Sequence, residues 1–354
     1  MSLKTLKQRL RDKHANVLEQ MSRDVNLVWN YVNELSHRSI KEKGRFLSAY
    51  EIASYTQGAS RYLSINSQTI QAITEEYVVR RKQSGKAKLQ WRKSWGSRSS
   101  LGWIPVKGQT VDFRNGQLVY NKHFFKLWDS HGLAQYKFRQ GNFSQDSRGR
   151  WYFNIAVEVK PEKNTATRAV GLNLGLKDVA VGSDGSRLKS AQFYRCMEDK
   201  LAVAQRANNK KRVRAIHAKI KNQRKDALHK FSRQIVNDNA LVVVGNVSAS
   251  KLAKTRMAKS VYDAGWYMLK MMLDYKCAHA GNIFIEVDEA NTTQTCSNCL
   301  EKPDSRPKSI AGLGIRVWVC DLCGACHDRD ENSGKLILAL GHGRLAEGIS
   351  LQSV

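Results

Sequence analysis

Two pairs of cysteines carry the clearest chemistry in this chain. Two residues separate Cys296 from Cys299 and Cys320 from Cys323, and 20 residues lie between the pairs. Thiolates at that spacing can hold a tetrahedral zinc ion. Four sulfurs leave no open coordination position, so such a zinc supports a fold and does not react. Gly324, directly after Cys323, suits a knuckle turn. Leu300 stands in the matching place after Cys299, and Cys326 makes a competing Cys323-x-x-Cys326 pair. Seven cysteines, four of them spaced this way, suit zinc in a reducing compartment better than disulfides. Cys196 and Cys277 read as small core residues.

The second chemical signal is cationic. Lys and Arg number 59 against 31 Asp and Glu, a net charge of +28. A charge of that size says nothing about fold but attracts a polyanion. It is concentrated in two runs. From Arg80 to Lys107 stand Arg80, Arg81, Lys82, Lys86, Lys88, Arg92, Lys93, Arg98 and Lys107, without one acid and with Trp91, Trp95 and Trp103 interleaved. Cations that pair with phosphates, alternating with rings that stack on bases, suit a single-stranded or structured RNA. From Lys200 to Lys225 stand ten more cations, including Lys210, Lys211, Arg212 and Arg214, again with no acid among them. Ala202, Ala204, Ala207, Val213, Ile216 and Ile220 predict one long helix there. Its charges would repel unless a polyanion lay alongside. A smaller basic loop runs from Lys251 to Lys259.

The elements that must position these groups follow from periodicity. Leu3 to Leu10 reads as a first strand. From Asp12, Val17, Met21, Val25, Val28, Trp29 and Val32 recur at helical spacing. Helical signals continue through Ser48–Ile52 and Ser67–Ile73, with Ser67 as the expected cap. Short strands with turn signals follow over 110–160, at Val111–Phe113, Leu118–Tyr120 and Trp151–Val159. Ala169–Leu174 and Val179–Gly182 form an apolar hairpin-like pair closed by Asp184-Gly185. Leu241–Asn246 and Ile283–Val287 are further strands. No apolar stretch of membrane-spanning length occurs and Met1-Ser2-Leu3-Lys4 has no signal-peptide core, which predicts a cytoplasmic protein with no membrane partner.

Three features together, Ala169-Val170-Gly171-Leu172-Asn173-Leu174-Gly175-Leu176-Lys177-Asp178, the two cysteine pairs, and His327-Asp328-Arg329-Asp330-Glu331-Asn332, resemble the RuvC nuclease domain of the TnpB family. These are OrfB-type, RNA-guided nucleases of bacterial insertion sequences, related to type V CRISPR effectors. The resemblance is specific over about 166–345 and weaker before. It implies an α+β multidomain fold. A wedge-type β-barrel would be built from 1–11 and 86–165, with a helical recognition lobe inserted at 12–85. An RNase H-like domain at 166–354 would follow, with a zinc-knuckle insertion at about 292–326.

Within that resemblance, the first metal-binding aspartate of active members falls on Asn173. Asparagine matches aspartate in shape but brings no charge, whereas magnesium wants anionic oxygens. Most TnpB-like proteins have a glutamate where this chain has Gly245; one subgroup uses an alternative after the next strand, here Glu289. The third acid maps to Asp330, in an Asp-x-Asn pattern with Asn332. Ser333-Gly334 replaces the usual two alanines, which reads as relaxed constraint. The resemblance thus implies a degenerate site of Asn173, Glu289 and Asp330, with structural zinc retained and magnesium lost or weakly bound. It further implies an RNA-guided, nucleoid-associated bacterial protein that pairs a guide RNA with double-stranded target DNA and represses transcription without cleavage. Two rivals are an active RNA-guided DNA endonuclease that tolerates Asn173 and a guide-free, transposon-associated DNA-binding accessory protein.

Overall fold

A computed structural model describes residues 2–160, 164–308 and 311–346, without the side chains of Ser2, Lys251, Ala311 and Leu313. The end of the RNase H-like span expected at 166–354 and part of the Lys251–Lys259 loop therefore lie outside the described residues. The chain forms two compact units, Met1–Val159 and Lys160–Val354. Among the described residues, no helix is long and apolar enough to cross a membrane.

The first unit opens with strand β1 (Ser2–Arg9), then helices α1 (Ala15–Lys43), α2 (Ala49–Tyr55) and α3 (Ser67–Ser84). Six strands follow: β2 (Trp103–Val106), β3 (Val111–Arg114), β4 (Gln117–Tyr120), β5 (His123–Lys126), β6 (Phe138–Gln145) and β7 (Trp151–Val159). Antiparallel pairing gives a four-stranded sheet in the order β1-β7-β6-β2 and a three-stranded meander β3-β4-β5. The two sheets meet at a Leu10–Leu127 bridge. The strands of this unit thus pair as two sheets, where a closed barrel was expected. Both share one apolar core with the helices, which supply Leu18, Met21, Val25, Ile70 and Tyr77 against Phe143, Phe153 and Ile155. The cap of α3 is Asn66, one residue before the expected Ser67; its side chain accepts from Thr69 N at 2.8 Å.

The second unit runs β8 (Arg168–Leu174), β9 (Asp178–Gly182), β10 (Arg187–Lys189), α4 (Glu198–Arg206), α5 (Lys210–Asp238) and β11 (Asn239–Gly245). Then come α6 (Ala249–Leu252), α7 (Ala258–Ala264), α8 (Trp266–Ala280), β12 (Ile283–Val287), β13 (Val317–Val319), β14 (Cys326–Asp328) and α9 (Arg329–Ala346). One sheet orders β10-β9-β8-β11-β12, with β8, β11 and β12 parallel. The near-continuous apolar run of β11 is what a parallel strand covered on both faces requires. Val242 and Val244 pack with Phe231 of α5 and Leu273 of α8, whereas Leu241 and Val243 pack with Ile337 of α9. Helices therefore cover both faces.

Two details differ from expectation. The Asp184-Gly185 turn joins β9 to β10; the β8–β9 pair is closed by the residues between Leu174 and Asp178. The long cationic helix is two helices, broken where Asn208 adopts φ +48° and Asn209 caps α5 by accepting from Arg212 N at 2.9 Å.

Candidate functional site

Strand alternation decides what the α9 face of the second sheet carries. Val170, Leu172 and Leu174 of β8 point into the α5/α8 core, so Gly171 and Asn173 face α9. Leu172 pairs with Val244 in register, which sets Asn173 and Gly245 side by side at the same ends of neighbouring strands. A Cβ at Gly171 would collide with the Gly334 carbonyl of α9. The backbones of β8 and α9 thus touch, and this contact brings the first turn of α9 over Asn173.

Asp330 sits in that turn. Asn173 is buried and donates from Nδ2 to Asp330 Oδ1 at 3.4 Å. Asp330 Oδ2 accepts from Arg316 at 2.6 Å, and Oδ1 from Arg329 Nη2 at 3.2 Å. The turn itself is capped by Asp328, which accepts from the backbone amides of Asp330 and Glu331 at 2.9 and 3.0 Å. Two guanidinium groups and one amide therefore surround this carboxylate.

Glu289 follows β12 and reaches back to Gly245. A Cβ on Gly245 would collide with Glu289 Oε2, so the glutamate carboxylate fills the space that the glycine leaves. That Oε2 is buried and has no hydrogen-bond partner among the described residues. Burial pushes the carboxyl above its ordinary range, with Lys270 nearby opposing the shift and Asp288 and Glu286 adding to it. Asn173, Gly245, Glu289 and Asp330 thus share one face and one end of the sheet.

Gly334 has a role that the sequence did not suggest. An ideal Cβ there lies 2.9 Å from Ser183 N and 3.0 Å from Gly171 O. Gly334, which with Ser333 read as relaxed constraint, instead suits the close backbone packing of α9 on β8 in this chain.

The four expected zinc ligands converge. Their Sγ atoms all lie within 4.8 Å of one another. Cys296 and Cys323 are 3.7 Å apart, and Cys299 and Cys320 are 3.8 Å apart. A tetrahedron with Zn–S near 2.3 Å has S···S edges of about 3.8 Å, so these thiols fit a structural zinc. Each pair forms the same turn: Leu300 N donates to Cys296 O at 2.9 Å, and Gly324 N to Cys320 O at 2.8 Å. Both residues are left-handed, with φ of +63° at Leu300 and +72° at Gly324. His327 Nε2 lies 3.0 Å from Cys296 Sγ and its ring packs on Trp318 at 4.9 Å. Cys326 is exposed on β14 and not among the four, which resolves the competing pair. Cys277 is buried as expected, but Cys196 is exposed.

The cationic residues divide by structural role. Arg81 is only 7% exposed and stacks on Phe46 at 3.7 Å, so it belongs to the fold and not to a binding face. Arg92 is likewise structural: its Nε donates to Asn26 at 2.6 Å and its Nη2 to the Leu101 carbonyl at 2.7 Å. Trp103 packs edge-on against Trp29 at 6.1 Å. Arg80 and Lys88 are committed to ion pairs with Glu76 and Glu34, at 2.6 and 2.7 Å. Lys82, Lys86, Lys93 and Arg98 are exposed, as are Lys210, Lys211, Arg212 and Arg214 on α5. The α4–α5 hairpin that carries the latter has its own small core of Leu201, Ala204, Ile216 and Ile220.

Sequence reasoning missed Asn26, Asn30 and Asn33. They line one stripe of α1 and hydrogen-bond the segment that carries the tryptophans. Their helical spacing was a signal, but exposed polar residues on a helix give the same pattern.

Known proteins locate the second unit. Residues 152–256 match the family described as "Probable transposase" (OrfB_IS605), and residues 266–337 match "Cas12f1-like, TNB domain". Over these residues the chain is similar to TnpB/OrfB and Cas12f-like proteins. A "Putative RNA-guided DNA endonuclease" of Streptomyces pristinaespiralis is 35% identical over 56% of this chain and 52% of its own length. One of like name from Escherichia coli K12 is 28% identical over 58% of each chain. This chain thus spans about half the length of these relatives. At the level of fold, a cryo-EM structure of a Cas12f1–sgRNA–target DNA complex superposes with a TM-score of 0.59 at 13% identity, covering 92% of this chain and 83% of that one.

Proposed function

We propose that the chain is an RNA-guided DNA-binding protein with an inactivated RuvC-like site, which represses transcription by occupying target DNA without cutting it. The observation that carries this reading is the amide of Asn173 donating to Asp330 at the sheet end where a first metal-binding carboxylate would stand. Two-metal hydrolysis needs anionic oxygens that converge on the cations. Here the first group is neutral, Asp330 is already satisfied by Arg316 and Arg329, and the Glu289 carboxylate is buried against Gly245. That donor set does not fit two magnesium ions.

In this reading, residues 1–11 and 86–165 form the wedge, 12–85 the recognition lobe and 166–354 the RuvC-like part, with the zinc insertion at about 292–326. Zinc bound by Cys296, Cys299, Cys320 and Cys323 braces the strand that leads into α9. The exposed cations of α5 and of the 82–98 segment hold the phosphates of guide RNA and DNA. Sequence is read by base pairing and not by side chains. The domain boundaries and the nucleic-acid roles of these residues are part of the proposal.

The test pairs two measurements on the full chain. RNA that co-purifies from the native cell is sequenced, and the complex is assayed for metal-dependent cleavage of a DNA matching the guide. A discrete RNA with promoter-matched ends and no cleavage is expected. Cleavage by the unaltered protein would establish instead the second reading, an active endonuclease, which the names of the relatives favour. DNA binding that survives removal of RNA would point to a guide-free accessory protein.

A further inference from the structure

Residues 86–102 form neither helix nor strand, yet they are fixed along their length. Asn33 exchanges both backbone hydrogen bonds with Leu89, donating to its carbonyl at 2.8 Å and accepting from its amide at 3.0 Å. Asn30 does the same with Arg92, at 2.8 Å in each direction. Asn26 donates to Ser94 Oγ at 3.2 Å. The amides of Asn33 and Asn30 act toward the segment as a neighbouring β-strand would, and Asn26 holds its side chains. Beyond them, Ser100 N donates to Lys93 O at 2.8 Å and Lys93 N to Ser100 Oγ at 3.0 Å, closing 93–100 into a loop.

What this scaffold presents is unusual for a surface without a partner. Trp91 is 54% exposed and Trp95, in the closed loop, is 69% exposed. Each ring has a cation near one face: the Arg23 guanidinium lies 3.8 Å from the Trp95 centroid, and the Lys88 ammonium 5.7 Å from that of Trp91. Lys86, Lys93 and Arg98 are exposed on the same segment and have no ion pair among the described residues. No acid occurs from Arg80 to Lys107. An indole left in water loses the favourable burial that most tryptophans obtain, and two of them among uncompensated cations call for a flat, anionic partner.

We infer that Trp91 and Trp95 are stacking platforms, each for one unpaired base of a single-stranded nucleic acid whose phosphates lie against Lys86, Lys93, Arg98 and Arg23. A duplex keeps its base faces covered and offers these rings nothing. A preformed loop presents its rings without an ordering cost at the moment of binding. The inference rests on the reading of the chain as a nucleic-acid-binding protein and adds which strand form this surface takes.

The experiment titrates the full chain, stripped of bound RNA by high salt, with single-stranded oligo-U, oligo-dT and a blunt duplex of equal length. Trp91→Ala and Trp95→Ala are each expected to weaken single-strand binding by roughly 5- to 150-fold, the loss of one stacked base. The salt dependence should not change, because no charge is removed, and duplex binding should stay within about twofold. Trp91→Phe and Trp95→Phe should retain most of the affinity. Unequal loss on oligo-U and oligo-dT would tell whether RNA or DNA is the strand held. Unchanged single-strand binding in the double alanine variant overturns the inference, and so does equal loss on duplex. If the unaltered protein binds no nucleic acid at all, it is the proposed function that fails.

Discussion

Replacing Asn173 by aspartate tests the electrostatics of the sheet end without relying on cleavage. The change places a second negative charge where Nδ2 now lies 3.4 Å from Asp330 Oδ1. Two unit charges at that separation repel by roughly 5 kcal/mol at an effective dielectric of 20. Arg316 and Arg329, 2.6 and 3.2 Å from the Asp330 oxygens, offset part of that. A residual cost of about 2 kcal/mol corresponds to a Tm lower by about 4–8 °C for a unit of this size. A divalent cation held between the two carboxylates would return about 2.7 kcal/mol at a hundred times its Kd. Calorimetry of the zinc-loaded protein, without and with millimolar Mg²⁺ and with no chelator, should therefore show Asn173→Asp less stable without magnesium and restored with it. The unaltered protein should shift by less than about 1 °C between the two buffers. If the unaltered protein gains as much from metal as the variant, Asn173 has not removed the cation site. If the variant ignores metal, the new carboxylate and Asp330 do not converge and the structural premise is wrong.

Other consequences follow from single contacts. Metal analysis should find about one zinc per chain, lost in Cys320→Ser and kept in Cys326→Ser, because Cys326 lies outside the four-thiol cluster. Leu300→Gly should raise stability by about 1 kcal/mol, since φ +63° strains a residue with a Cβ and the leucine side chain is exposed; chemical denaturation of the zinc-loaded protein would register it. Glu289→Gln should be more stable than the unaltered protein at pH 7. Burial raises the Glu289 carboxyl in the folded state, so its penalty is absent below the ordinary glutamate range and grows as pH rises through the folded value. The Tm advantage of the variant should accordingly vanish by about pH 4, and an advantage constant with pH would refute the burial argument.

What the sequence disclosed is what depends on local spacing. The cysteine pairs, the apolar runs of β8, β11 and β12, and the helical signal at Ser48–Ile52 are each written within a few residues, and each is found in the structure. Arg81 and Arg92 were misread because a cation in a basic run looks solvent-facing until a ring or an amide from elsewhere covers it. The break between α4 and α5 escaped because it needs only one left-handed residue, Asn208, inside a run with no Pro or Gly. The asparagine stripe of α1 was invisible for the same reason as the buried arginines: its partners lie 56 to 68 residues away.

The four-cysteine knuckle and the Asp330 turn are one mechanical object, and its architecture does not depend on a charge at residue 173. Asn332, 1% exposed, accepts from Ser297 N at 2.8 Å and donates to the Thr295 carbonyl at 2.7 Å, on either side of Cys296. Two residues before the turn, His327 contacts Cys296 Sγ itself. The first turn of α9 is thus held to the knuckle at two points, and its body to β8 by the Gly171–Gly334 approach. None of these contacts involves the charge of residue 173. Removing a buried partner such as Asn332 leaves backbone groups unsatisfied, at about 1–3 kcal/mol each, whereas exchanging aspartate for asparagine at 173 preserves shape and leaves a hydrogen bond. Asn332→Ala should therefore destabilise the protein by at least about 1–3 kcal/mol in chemical denaturation, and a loss no larger than that of an exposed-site control would refute the coupling of knuckle and turn.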